Sequence, residues 1–115
     1  MGRLGNLSRL KALQELELKG CDALDNEAIL VIADLTELQE CSLWYSGNIS
    51  DVTPFKDLAN LRHLDLAYTG VTDLSPLAHR PDLVVVVGGD QSDFSKKPLE
   101  AMTISRLMAE HPEFF

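Results

Sequence analysis

Positive charge is scarce in this chain of 115 residues. Only 10 Lys and Arg stand against 18 Asp and Glu, a formal net charge of −8. Phosphate binding needs a positive surface, which argues against nucleic acid as a partner. An anionic membrane surface is disfavoured on the same ground. Long apolar runs are missing too, and nothing approaches the roughly 20 residues of a membrane-spanning helix. The opening stretch "MGRLGNLSRL" lacks the continuous apolar core of a signal peptide. With two cysteines, Cys21 and Cys41, there is neither a disulfide framework nor a metal-binding quartet. The expected setting is therefore reducing and cytoplasmic. No nucleophile elbow, no Walker loop and no zinc spacing is present. These absences together lead to the expectation of a protein that is not an enzyme and uses no cofactor.

What the chain does have is repetition. The stretches "LKALQELELKGC" (Leu10 to Cys21), "LTELQECSLWYS" (Leu35 to Ser46) and "LANLRHLDLAYT" (Leu58 to Thr69) share one pattern, apolar-x-x-apolar-x-x-apolar-x-apolar. The third anchors are Leu16, Cys41 and Leu64, spaced 25 and 23 residues apart. A second block, "ISDVTPF", recurs as "VTDLSPL" after 22 residues. The apolar-x-apolar end of each unit predicts a short strand with one buried face. The apolar residues three apart that precede it suit a helical or 3₁₀ path. One such unit cannot bury its own apolar edge, whereas stacked units share a continuous core.

This pattern resembles the leucine-rich repeat over roughly residues 4 to 94. "LRHLDLAYTGVTDLSPLA" is similar to the internalin-like bacterial subtype. "LQELELKGCDALDNEAILVIADL" is similar to the cysteine-containing subtype of F-box proteins, with Cys21 in a slot that often holds Asn. The resemblance implies an α/β fold: a short leucine-rich-repeat solenoid with a parallel β-sheet on its concave face. Helix or 3₁₀ turns would line the convex face, and a helical cap would close the C-terminal end. The repeats are expected over 1–94, with strands near 15–19, 40–44, 63–67 and 84–88, and the capping helix and tail over 95–115.

Local signals fill in the connections. Asp25 is expected to cap a helix whose Ala28, Ile29, Ile32 and Leu35 share a face. Thr53 and Ser75 are expected as N-caps, each followed by a proline at the first helical position. Adding 22 to Leu61, Leu64 and Leu66 gives Leu83, Val86 and Gly88, so "LVVVVGGD" reads as a fourth strand with Val85, Val87 and Gly89 facing outward. Val71 plus 22 is Asp93, which cannot be buried, and Phe94 is the next apolar residue for that slot. Pro98 to Glu110 is expected as the cap helix, with Ala101, Ile104, Leu107 and Met108 on one face. Leu4, Leu7 and Leu10 look like the convex part of a repeat whose strand is missing, read either as a minimal N-terminal cap or, the favoured reading, as the remnant of a longer parent chain with upstream domains.

The repeat register places the candidate site. Glu15, Glu17 and Lys19 face outward from the first strand. Glu40, Ser42 and Trp44, followed by Tyr45, come from the second, and His63, Asp65 and Ala67, followed by Tyr68, from the third. Aromatic anchors ringed by polar groups are typical of binding hot spots. Trp44 has two readings, a partner contact or packing over the sheet edge. Between Ala12 and Asp73 there are 12 acidic and three basic residues, a field that would steer a basic partner. His63 and Asp65, two apart on one strand, could with Glu40 or Glu17 bind a metal or exchange protons. No third ligand has firm geometry, so neither chemistry is expected. His79 and His111 read as solvated, and Cys21 and Cys41 as buried small hydrophobes that do not pair.

The function expected is a non-catalytic protein–protein interaction module. It would use Glu15, Glu17, Glu40, Ser42, Trp44, Tyr45, His63, Asp65 and Tyr68 to bind a partner protein with a basic surface, and neither nucleic acid nor membrane. An alternative is the sensor end of a larger switch protein, since "TGVTDLSPLA" also resembles repeats at the C-terminal ends of bacterial NACHT-type NTPases. A remote alternative is a nucleotide-binding fragment built on Gly88 and Gly89. It lacks the third glycine of G-x-G-x-x-G, and its loop brings two aspartates to where phosphate would sit.

Overall fold

A computed structural model describes residues 12–18, 25–90, 92–93 and 95–115. The expectations placed on Leu4, Leu7, Leu10, Lys19, Cys21 and Phe94 lie outside the described residues. The strands are β1 (Glu15–Glu17), β2 (Glu40–Ser42), β3 (His63–Ala67), β4 (Val84–Gly88) and β5 (Met102–Thr103). Among the described residues they form one five-stranded sheet in chain order. The first three pairings are parallel and the last is antiparallel.

Register follows the apolar rows. Leu16, Cys41, Leu64, Val85 and Met102 lie side by side across the sheet. All but Leu16 are buried. Behind this row sit Leu35, Leu38, Leu58, Leu61, Leu77 and Leu83, also buried, so the leucines three residues apart form the rear of the same core. Helix α1 (Asn26–Ile32) is capped by Asp25, whose carboxylate accepts from the amides of Glu27 and Ala28 at 3.0 and 3.1 Å. It buries Ile29 and Ile32, the apolar face that its spacing marks out. Asn26 ties α1 to the next connection by accepting from the amides of Ser50 and Asp51.

The two proline connections are 3₁₀ turns, Thr53–Asp57 and Ser75–Leu77. Thr53 and Ser75 are not the caps expected of them. Each lies inside its turn, and the residue two before it supplies the acceptor: Asp51 for the amide of Thr53 and Asp73 for that of Ser75, both at 2.9 Å. Aspartate reaches an amide two residues on without leaving its own turn, the local geometry that favours Asp at turn starts. Hydrogen bonding to Thr53 and to Ser75, through the side chain first and then the backbone, holds both carboxylates below the usual range.

An elongated solenoid with an all-parallel sheet does not form. The sheet is mixed, the radius of gyration is 13.3 Å and the extents are 38 × 31 × 18 Å. Those dimensions suit a compact globule of this length, since a chain of 100 residues has a radius of gyration of about 13 Å. The reason is geometric. Strands repeat about every 4.8 Å, so four parallel strands make a stack only about 15 Å deep, shorter than the body is wide.

The expected cap helix over Pro98–Glu110 is also corrected. Pro98 forms an isolated bridge to Gly88, β5 pairs antiparallel with β4, and only then does α2 (Ile104–Glu110) begin. Thr103 caps it, accepting from the amide of Arg106 at 3.2 Å. Ile104 and Leu107 are buried, while Ala101 and Met108, expected on the same face, are exposed.

Candidate functional site

The side chains opposite the apolar rows make up the open face of the sheet. Glu15, Glu40, His63 and Val84 share one transverse row, and Glu17, Ser42, Asp65 and Val86 the next. Glu15, Glu17 and Glu40 are exposed; Ser42, His63, Asp65, Val84 and Val86 are half-buried. Between them lies a depression of about 500 Å³ lined by Glu15, Glu17, Glu40, Ser42, His63 and Asp65 with Leu16 and Cys41 at its floor. The structure thus brings together six of the residues that the repeat register selected.

Asp65 is the best-held carboxylate of this group. It accepts from the amide of Ala67 at 3.0 Å and from the Ser42 hydroxyl at 3.5 Å. Beneath it, Cys41 is free and buried. Desolvation, with a smaller contribution from Asp65, pushes its thiol up to about 12. A thiol held that far from ionisation is a poor nucleophile. Among the described residues no group of three or more His, Cys, Asp or Glu side chains is placed to hold a metal ion.

The aromatic residues cluster where the strands end. Trp44 lies 5.4 Å from Tyr45 and 5.8 Å from Tyr68 between ring centroids, and the two tyrosines are 5.9 Å apart. Rings this close pack on one another and leave no gap for a cation between them. Trp44 and Tyr45 are half-buried, and Tyr68 is 6% exposed, so Tyr68 supports the cluster from beneath instead of meeting solvent. Ala67, expected to face outward, is also buried.

Sequence reasoning missed the backbone state of the two tyrosines. Tyr45 and Tyr68 have φ of 66° and 59°, in the left-handed region. Their amides donate to Ala67 and Gly88 at 2.8 Å, so each continues the ladder into the turn. A non-glycine residue there costs about 1–2 kcal/mol, which the ladder bonds and ring packing must offset. One signal was available. One strand further on, after β4, the same slot holds Gly89, with φ of 87°. A Cβ there would stand 2.9 Å from the Tyr68 ring.

That slot also corrects the fourth strand. Leu64 pairs with Val85, not Val86, so Val85 and Val87 are buried and Val84 and Val86 face outward. A shift of one residue exchanges the two faces of a strand. Four consecutive valines carry no alternation that could fix the register. The glycines fix it, because Gly89 has to meet Tyr68. Gly88 and Gly89 hold positive φ of 98° and 87°, and among the described residues no helix N-terminus follows them before the bridge at Pro98, as a phosphate cradle would require.

Arg80, another departure from the repeat, has a structural task. Its guanidinium donates to the carbonyls of Leu58, Ala59 and Leu61 at 2.9, 3.4 and 2.6 Å, stitching the third connection to the second. His79 is exposed, as expected, and contacts the Lys56 carbonyl at 3.1 Å, while His111 is half-buried and lies 3.4 Å from Glu113. Among the described residues no helix is long and apolar enough to cross a membrane. No protein-family model matches the chain, and no curated protein matches it.

Proposed function

We propose that this protein is a non-catalytic binding module that holds a partner protein with a basic surface on the open face of its sheet. One observation carries the reading. The register sets Glu15 beside Glu40 and places Glu17 and Asp65 on either side of Ser42. The ion pairs among the described residues lie elsewhere, at Arg106 and His111. Neighbouring like charges on one sheet face destabilise it. A basic partner relieves that repulsion on binding and is drawn in by the same field. Trp44 and Tyr45, both half-buried, follow β2 at its C-terminal end, where an aromatic surface adds contact area. The resemblance of the strand units to leucine-rich repeats supports the same reading. The buried, un-ionised thiol of Cys41 suits the cytoplasm, where thiols stay reduced.

Capture of partners by the intact chain, compared with Trp44→Ala and Asp65→Lys, tests this. Both substitutions are expected to weaken capture, and capture by the intact chain should fall as salt is raised. Leu64→Ala provides the structural reference. If Trp44→Ala lowers thermal stability as much as Leu64→Ala, Trp44 is a packing residue and loses its assigned contact role.

A further inference from the structure

The two edges of the sheet are built differently. At the far edge, β5 is only two residues long, and Pro98, which has no amide hydrogen to offer, bridges to Gly88 just beyond it. Short strands and proline are the usual ways of blunting an edge. At the near edge, β1 pairs only with β2 among the described residues. The amide of Leu18 donates to Ser42, and the carbonyl of Gln14 accepts from Gln39 and Glu40. Main-chain groups alternate in direction along a parallel strand, so those of Glu15 and Glu17 point away from β2, out of the sheet edge. The core also thins here. Leu16 is partly buried, whereas Cys41, Leu64 and Val85 in the same row are 2% exposed or less.

We infer that β1 is a docking edge that takes an extended segment of another protein as a sixth strand. The segment would be basic–apolar–basic in sequence. Its main chain would bond to Glu15 and Glu17, its apolar residue would continue the row of Leu16, and its basic residues would lie beside the two exposed glutamates. Charge decides between occupants. A second copy of this chain pairing β1 antiparallel with β1 would set Glu15 opposite Glu17 twice, and like charges directly opposed destabilise a strand pair. A basic strand meets attraction at both places. This goes beyond the binding face, because the groups used are main-chain groups at the edge.

The test uses the intact chain, labelled with ¹⁵N, and a seven-residue peptide of alternating arginine and valine as probe. Amide hydrogen exchange at Glu15 and Glu17 is expected to slow at least about tenfold on saturation, as new main-chain hydrogen bonds form. Glu17→Gln removes a charge and keeps the amide, so it should weaken binding several-fold and retain the protection. Glu17→Pro removes the outward amide hydrogen while leaving the ladder to β2 intact, the placement proline tolerates on an edge strand. It should abolish binding. Leu30→Ala, at an exposed site on α1, should leave binding of this probe unchanged, which separates an effect at the edge from a general one. Four results would overturn the inference: no saturation at millimolar peptide, binding without protection of Glu15 and Glu17, binding retained by a folded Glu17→Pro, or a peptide-free dimer that protects the same amides. Should Glu17→Pro fail to fold, the exchange measurement on the unsubstituted chain decides alone.

Discussion

The register of the fourth strand gives the sharpest prediction. Replacing each of the four valines of β4 by alanine in turn should produce an alternating pattern of damage. Val85 and Val87 are fully buried, while Val84 and Val86 are half-buried on the open face. Each substitution removes two methyl groups, worth roughly 1.6 kcal/mol in transfer free energy at about 0.8 kcal/mol per carbon. At a buried site the unfilled cavity adds to this, for a total of about 2–3 kcal/mol. At a half-exposed site roughly half the transfer cost applies and no cavity forms, so about 1 kcal/mol is expected. The loss of strand propensity on going from valine to alanine, within about 1 kcal/mol, is common to all four and cancels in the comparison. Urea unfolding at constant m-value measures the series. A thermal scan should show Val85→Ala and Val87→Ala about 5–10 °C below Val84→Ala and Val86→Ala, at about 4 °C or more per kcal/mol. The reverse order would place Val86 in the core and refute the pairing of Leu64 with Val85. Four equal values would mean that β4 has no fixed register.

Two further outcomes follow from the core and its stitching. Burial pushes the Cys41 thiol up to about 12, whereas an unfolded thiol ionises near about 8.5. The unfolded chain therefore loses this proton first as pH rises. The associated stability is fully present below about 8.5 and declines as pH climbs toward the folded value. Urea midpoints measured through this alkaline range should fall more steeply for the intact chain than for Cys41→Ala, and equal slopes would contradict the burial of the thiol. Arg80→Lys should cost about 2 kcal/mol in urea unfolding, because a single ammonium cannot span three carbonyls and some are left without a donor. A change within experimental error would show that water replaces the guanidinium at no cost.

Much of the strand layout was legible because it depends on local period. Leu16, Cys41 and Leu64 recur in a pattern that only a one-sided strand explains, and β1, β2 and β3 lie on those stretches. The members of the open face follow from the same alternation, so Glu15, Glu17, Glu40, Ser42, His63 and Asp65 are legible in the sequence. Asp25 as a cap was legible for a similar reason, since a cap acts within one turn of its own position. Other features were hidden because they depend on contacts between distant residues. Nothing near Tyr45 or Tyr68 announces a left-handed backbone; the signal is a glycine in the next rung. Arg80 looks like a defect of the repeat until its guanidinium is seen on the carbonyls of the connection before it.

The sequence by itself determined which residues alternate, where the chain turns and which side chains carry charge, because these are properties of a few neighbouring residues. Only the tertiary structure decided how the stack ends and what shape results. A run of valines is equally apolar in either register, so packing between Gly89 and Tyr68 chose the buried pair. Repeats can be counted along a chain, but the length of their stack is set by strand spacing, and four parallel strands are too few to elongate the body. The chain after β4 closes it, with β5 running back along β4 and α2 burying Ile104 and Leu107 against the core. That return is a long-range choice, made because the last apolar row would otherwise face water.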